Sequence, residues 1–362
     1  MKKISDPIRI GTMQLKNRIV RGATLEAGGA DDGEMNDLLG NIYTDLAKGG
    51  VGLIITGMMG VGPNSCAYPS IGMTRIYGKT FGTKFRKIAD RVHQYGAKIA
   101  VELGQCGARA VVLETREHPY CPSDHTDAAG NIATAMTKEE IARVVEDFGT
   151  AAAICKESGA DAVEIHAAHG YLLSEFLSPY FNKREDEYGG SIENRCRIVK
   201  EAYTSVRAHV GEDFPVLIKI NYEDLVQPGL TGAECLVVCQ QLEALGIDAI
   251  EISTGLSVSM ESAPFQRPKT PTAGTFTQGA LKIADSVSIP VISIGGYRTI
   301  EGIENVLNEG NLTAISMSRP FICEPDLIAR WLSGDTKKAK CVSCNKCFTD
   351  GGGFGCKVFR KK

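Results

Sequence analysis

The sequence predicts an α/β fold, a closed (β/α)8 (TIM) barrel with a short C-terminal cysteine-rich extension, and three observations lead there. Eight apolar, β-branched-rich runs fall at 18–20, 52–56, 97–103, 160–166, 216–221, 249–253, 290–294 and 314–318. Near-continuous hydrophobic runs of this length suit parallel strands covered on both faces. Segments of helical periodicity lie between them, such as 141–158, 195–210 and 232–245. Glycines punctuate the return from helix to strand at Gly49-Gly50, Gly96, Gly159 and Gly246, where a left-handed residue commonly ends a helix. Eight such alternations close a barrel. The rival, an open doubly wound sheet, lacks a Gly-x-Gly-x-x-Gly after the first run. The expected division is a barrel over 1–335 and a tail over 336–362.

Composition narrows the function. The chain has 362 residues, 43% apolar and 23% charged, with a net charge of −3. That balance gives no electrostatic footprint for nucleic acid or an anionic membrane surface. No apolar run reaches membrane-spanning length, and the N-terminal Met-Lys-Lys-Ile-Ser-Asp-Pro lacks the apolar core of an export signal. The expected location is the cytoplasm.

Chemistry in such barrels gathers at the C-terminal ends of the strands. Run one leads into Ala23 and Thr24, run two into Gly57, and run three carries Glu102 and Gln105. Run four delivers His166, His169 and Tyr171. Two imidazoles three residues apart on a strand-to-loop turn can reach one small volume, to polarise an oxygen or hold a metal. Tyr171 adds a proton donor. A zinc site needs at least three protein ligands, and no motif supplies the third. Run five carries Lys219 and Asn221. Run six ends in Ser253-Thr254-Gly255, to which no chemistry is assigned. Run seven ends in Gly295-Gly296, where backbone N–H groups can approach an anion with no Cβ in the way. Run eight ends in Ser318-Arg319, whose guanidinium can grip the same anion with paired hydrogen bonds. The loops after strands seven and eight are the usual phosphate seat of this architecture.

The stretch from Asp161 to Arg195 carries a long motif: His166-x-x-His169, Gly170-Tyr171, Phe176-Leu177-Ser178-Pro179, Asn182-x-Arg184, Tyr188-Gly189-Gly190-Ser191 and Asn194-Arg195. In this it resembles the signature of the Old Yellow Enzyme family, FMN-dependent ene-reductases also called NADH:flavin oxidoreductases. The blocks 15–24 and 46–57 share the likeness, which covers roughly residues 6–331. The resemblance implies FMN as cofactor and NAD(P)H as reductant. Ala23, Thr24 and Gly57 would approach the flavin ring, and Lys219 would lie beside its N1/O2 edge. The phosphate would sit at Gly295, Gly296, Ser318 and Arg319. His166 and His169 would hydrogen-bond the carbonyl oxygen of an electron-poor alkene, and Tyr171 would deliver a proton to its α-carbon. The substrate would be a small α,β-unsaturated carbonyl compound.

Besides Ser318, where the family usually has a Gly before the Arg and a serine N–H can still serve, two departures from the family's pattern matter. Glu102 stands where a Gln usually both donates to and accepts from the flavin pyrimidine, and a carboxylate cannot donate. Three readings stay open: a protonated Glu102, a flavin that is harder to reduce, or Gln105 acting in its place. Glu175 stands where a Gln often precedes Phe-Leu-Ser-Pro, and the sequence offers no reason for it.

Twelve cysteines need not mean disulfides in a chain of this size. Eight are scattered (Cys66, Cys106, Cys121, Cys155, Cys196, Cys235, Cys239 and Cys323) and read as buried thiols. The other four are Cys341, Cys344, Cys347 and Cys356, the first three in Cys-x2-Cys-x2-Cys spacing. That spacing suits a metal or cluster. It resembles the segment that carries a [4Fe–4S] cluster in larger 2,4-dienoyl-CoA reductase and 2-enoate reductase relatives. The fourth cysteine follows sooner here, and within these 362 residues no domain that would feed electrons to a cluster is expected. A cluster, a structural zinc and reduced thiols all remain, and the missing donor weighs toward thiols.

The rival functions are an oxidative FMN barrel (amine dehydrogenation or demethylation) and a subunit that needs a partner electron donor. The loops at 67–78 and 255–279 are expected to shape the substrate pocket.

Overall fold

The computed structural model describes residues 1–26, 28–30, 33–67, 72–111, 113–256, 276–348 and 355–359. Of the two expected substrate loops, residues 68–71 of the first and 257–275 of the second lie outside the described residues.

Eight parallel strands close a ring: β1 (Ile19–Arg21), β2 (Leu53–Ile55), β3 (Lys98–Gly104), β4 (Ala162–Ala167), β5 (Val216–Asn221), β6 (Ala249–Ser253), β7 (Val291–Ile294) and β8 (Ala314–Met317). Each pairs with its sequence neighbour, and β8 returns to β1 with Met317 opposite Arg21. Every expected run overlaps one strand.

A helix follows each strand: α1 (Asp37–Lys48), α2 (Lys79–His93), α3 (Lys138–Glu157), α4 (Arg197–Val210), α5 (Gly232–Ala244), α6 (Thr277–Ala284), α7 (Ile300–Glu309) and α8 (Leu327–Leu332). Local chemistry sets their ends. Thr137 with Glu140, and Thr231 with Glu234, form reciprocal capping boxes at the starts of α3 and α5, each worth about 1 kcal/mol. Gly50, Gly96, Gly159 and Gly246 all take positive φ after their helices, a conformation that glycine adopts without steric penalty.

Strand alternation sorts the side chains. Ile99, Val101, Val163, Ile165, Ile218, Ile220, Ile250 and Ile252 join the helices in the main core. Ala100, Ala162, Leu217 and Ala249 point into the barrel, where Ile8, Ile10, Met13 and Leu15 of an N-terminal hairpin close the floor. Two residues further along, the same parity carries Glu102, Glu164, Lys219 and Glu251. Two further still, it carries His166, Asn221 and Ser253. The barrel interior therefore changes from apolar floor to charged middle to polar mouth within four residues.

Between β3 and α3 an insert forms a three-stranded sheet, Tyr120–Cys121, His125–Thr126 and Ile132–Ala135. Its Cys121 and Ala133 pack with Phe181 and Leu256. After α8 the chain turns back onto the barrel. Trp331 Nε1 donates to Lys337 O at 2.9 Å, Ala339 N to Arg298 O at 2.8 Å, and Lys340 N to Glu324 at 2.5 Å. No helix among the described residues is long and apolar enough to cross a membrane.

Candidate active site

The middle layer of the barrel is organised by one cation. Lys219 Nζ on β5 lies 2.5 Å from Glu102 Oε1, 2.8 Å from Glu164 Oε2 and 3.0 Å from Glu251 Oε2. These come from β3, β4 and β6, and all four side chains are at most 4% exposed. Burial opposes the lysine's charge, but the three carboxylates outweigh it and hold the ammonium protonated well above its ordinary range. Burial likewise opposes ionisation of Glu102. The Lys219 ammonium overcomes this and keeps its carboxyl below the usual value. Glu164 goes the other way. Burial, reinforced by Glu251 and Glu102 and only partly offset by Lys219, pushes it well up and favours its neutral form.

Of the three readings of Glu102, the protonated one is disfavoured by this pairing. Gln105 is committed elsewhere: its amide nitrogen donates to Asn64 O at 2.7 Å and its oxygen accepts from Gly107 N at 2.5 Å. Glu175 now has an account. It is fully buried beneath the turn after β3, accepts from Ala108 N at 3.0 Å, and fills the space a Cβ on Gly107 would need. Burial raises its carboxyl well above the ordinary value.

The polar mouth gathers the three predicted catalytic side chains. The His166 ring centroid lies 5.2 Å from that of His169 and 4.8 Å from that of Tyr171, both edge-to-face. His166 Nδ1 accepts from Ala168 N at 3.2 Å, so the neutral ring carries its proton on Nε2. Burial pushes its pKa down to about 4, and the ring is an uncharged donor at neutral pH. His169 takes positive φ at 62°. Its N donates to Asn221 Oδ1 at 3.3 Å, and its Nε2 lies 2.6 Å from Ser253 Oγ. Ser253 is thus the role that the end of β6 lacked in the sequence. Arg109 Cζ stands 5.7 Å from the Tyr171 ring centroid, a cation–π contact also unforeseen.

At the opposite rim, Thr24 Oγ1 meets Ser318 Oγ at 2.7 Å, tying the exits of β1 and β8. Ala23 is half-buried beside them. Gly57 N donates to Tyr43 Oη at 3.3 Å. Arg21 Nη2 pairs with Glu26 at 2.5 Å beneath this rim. Gly295 and Gly296 take φ of 109° and 77° in succession, an arrangement open to glycine and poor for other residues. Two side-chain-free positions, the Ser318 hydroxyl and Arg319 on the next strand exit fit a phosphate such as that of FMN.

The tail cysteines Cys341, Cys344, Cys347 and Cys356 line one hollow together with Cys323 and Arg319. All twelve cysteines are unpaired by disulfides. Among the described residues no group of three or more His, Cys, Asp or Glu side chains is arranged to hold a metal ion.

Known proteins match this chain in family and fold. The family described as NADH:flavin oxidoreductase / NADH oxidase matches residues 3–337. A metal reductase of Desulforamulus reducens is 35% identical over 96% of this chain and 51% of its own length. A cinnamate reductase of Clostridium sporogenes is 31% identical over 95% of this chain and 55% of its own. The chain thus spans about half the length of these two curated relatives. The solved structure of an old yellow enzyme homologue from Zymomonas mobilis superposes with a TM-score of 0.79 at 26% identity, covering 93% of this chain and 94% of that one.

Proposed function

This chain belongs to the NADH:flavin oxidoreductase / NADH oxidase family, and on that premise we propose that it uses FMN and NAD(P)H to reduce the C=C bond of a small α,β-unsaturated carbonyl compound. The observation that carries the reading is the cluster of His166, His169 and Tyr171 at the end of β4, with His166 held neutral. A neutral N–H donor suits a carbonyl oxygen that gains negative charge during reaction, because it stabilises that charge without surrendering a full proton. The name of the cinnamate reductase, whose substrate is an unsaturated acid, supports the same chemistry.

Bound FMN would supply the hydride chemistry, taking reducing equivalents from the nicotinamide and passing them on. The protein's own residues do the rest. His166 Nε2–H and the His169 ring hold the carbonyl oxygen, with Ser253 and Asn221 fixing the orientation of His169. Tyr171 donates the proton from its Oη to the substrate's α-carbon. Lys219, with Glu102, Glu164 and Glu251 around its ammonium, would be the charged group beside the flavin ring. Gly295, Gly296, Ser318 and Arg319 hold the phosphate, and Ala23, Thr24 and Gly57 line the ring site.

We read the segment over 336–362 as an extension of the barrel over 1–335, and its cysteines as reduced thiols. Metal analysis of the purified protein tests that: stoichiometric iron or zinc lost in a Cys344→Ser variant would overturn it.

The deciding experiment is an anaerobic absorption spectrum before and after NADH, followed by a panel of enones. Oxidised-flavin bands that bleach and then return with an enone support the proposal. A colourless chain that cannot be reconstituted with FMN would end it. Flavin that NADH never reduces, but a partner's electron carrier does, would favour the subunit reading.

A further inference from the structure

The tail reaches the phosphate seat. Arg298, in the loop after β7, grips the first part of the cysteine segment at three points. Its Nε donates to Cys341 O at 3.2 Å, and its Nη2 to Ser343 Oγ at 2.6 Å and Cys341 Sγ at 3.8 Å. The backbone is fixed in return by Ala339 N donating to Arg298 O at 2.8 Å. Held this way, the segment takes two left-handed residues that are not glycine, Ser343 at φ 56° and Asn345 at φ 60°. Asparagine tolerates that region better than most side chains, while serine does so at some strain. The result is a short built loop that presents the Asn345 amide oxygen to Arg319, with Nη1 donating at 2.5 Å.

Arg319 is the guanidinium expected at the phosphate. A guanidinium has five N–H donors in a planar fork, and one bond at Nη1 leaves the Nε/Nη2 edge for paired bonds to an anion. Asn345 is a neutral acceptor, so it orients the fork without cancelling its charge. A carboxylate in its place would do both.

We propose that Asn345, held by the Arg298-clamped tail loop, is a positioning residue for the cofactor phosphate, acting through Arg319. The inference rests on the reading of Gly295, Gly296, Ser318 and Arg319 as the phosphate seat. It makes the cysteine segment part of the cofactor site, whatever its thiols hold. The ligand it serves is a phosphate monoester on a flavin, and a flavin without phosphate gains nothing from it.

That difference supplies the test. The full-length chain, freed of flavin, is titrated with FMN and separately with riboflavin, and binding is followed by flavin fluorescence. Three variants are compared with the parent: Asn345→Gly, which keeps the left-handed backbone and removes only the amide, Arg319→Ala, and the two combined. The expected result is that Asn345→Gly weakens FMN about fivefold to tenfold, the scale of one oriented charge-assisted bond, and leaves riboflavin unchanged. In the Arg319→Ala background it should add nothing. Unchanged FMN affinity in Asn345→Gly, with Arg319→Ala weakened, overturns the inference and leaves the phosphate seat standing. Equal weakening of FMN and riboflavin also overturns it, because the tail would then act only on the fold. Unchanged FMN affinity in Arg319→Ala removes the phosphate seat itself, and the inference with it.

Discussion

Lys219 Nζ and Glu102 Oε1 stand 2.5 Å apart inside the barrel, on strands that are not neighbours. Glu164 and Glu251 complete the shell around the same ammonium. Removing the cation leaves three buried carboxyl groups with no counter-charge, and Lys219→Met should destabilise the fold by about 3–5 kcal/mol. Glu102→Gln keeps the volume and leaves two partners on Lys219, so its penalty should be smaller, roughly 1–2 kcal/mol. With Lys219 beside the flavin, as the family resemblance implies, the same Glu102→Gln change exposes the cofactor to more positive charge. Its reduction potential should then rise by roughly 30–60 mV. Denaturant melts of both variants and a dye-equilibrated reductive titration check the pair. Equal stability losses would mean that Lys219 does not organise the cluster, and an unmoved potential would remove Glu102 from the flavin's surroundings.

His166 gives a pH dependence whose sign follows from its burial. Its folded pKa of about 4 lies below the ordinary 6.5. Between these values the unfolded chain binds a proton that the folded chain refuses, so stability falls as pH falls through that window. The loss from this one group amounts to roughly 3 kcal/mol by the bottom of the window. His166→Asn should flatten that part of the curve. Urea midpoints of the parent and the variant across the window measure it, and parallel curves would show that His166 is not buried as a neutral ring.

What could be read from the chain beforehand was whatever local physics determines. Strand runs and the left-handed glycines at Gly50, Gly96, Gly159 and Gly246 follow from hydrophobic period and φ preference alone. The cluster of His166, His169 and Tyr171 was legible because a strand end and its turn lie in one continuous stretch. Glu164 and Glu251 were overlooked, though a signal existed: each is a charged residue at inward parity within an apolar run, two before His166 and Ser253 respectively. Ser253 on His169, Arg21 on Glu26 beneath Tyr43, and Asn345 on Arg319 had no such signal. Those pairs depend on where strands and loops meet in space, which periodicity does not encode. Gln105 shows the opposite error, a residue at the right strand end whose amide is consumed by its own loop.

Tyr171 lies at the edge of the His166 ring and starts the short helix Leu172–Leu177. Phenylalanine preserves that packing and removes only the hydroxyl. Reduction of the flavin by NADH should proceed at the parent rate in Tyr171→Phe, since no proton from Tyr171 enters that half. Reoxidation by an enone should slow about 10²–10⁴-fold. Stopped-flow traces of the two halves separate them. An enone step that keeps the parent rate would assign the proton to another donor and leave Tyr171 as rim packing.

Gly57 tests whether the rim of β2 is shaped by its neighbours or by the cofactor. A Cβ there would stand 2.1 Å from Glu26 Oε2 and 2.7 Å from Thr24 O. The carboxylate has little room to retreat, because Arg21 Nη2 holds its other oxygen at 2.5 Å while Arg21 Nη1 donates to Ile55 O at 2.6 Å. The Thr24 carbonyl is backbone, and moving it would disturb the Thr24–Ser318 hydroxyl contact across the rim. Gly57→Ala should therefore destabilise the flavin-free protein by about 1–3 kcal/mol, the usual penalty for overfilling a packed site. Shortening the obstructing side chain with Glu26→Ala should relieve part of that clash, so the double variant should lose less than the two single losses added together. Thermal melts of all three without flavin decide the matter. A Gly57→Ala protein as stable as the parent, yet weak in FMN binding, would instead assign the glycine to the cofactor's approach.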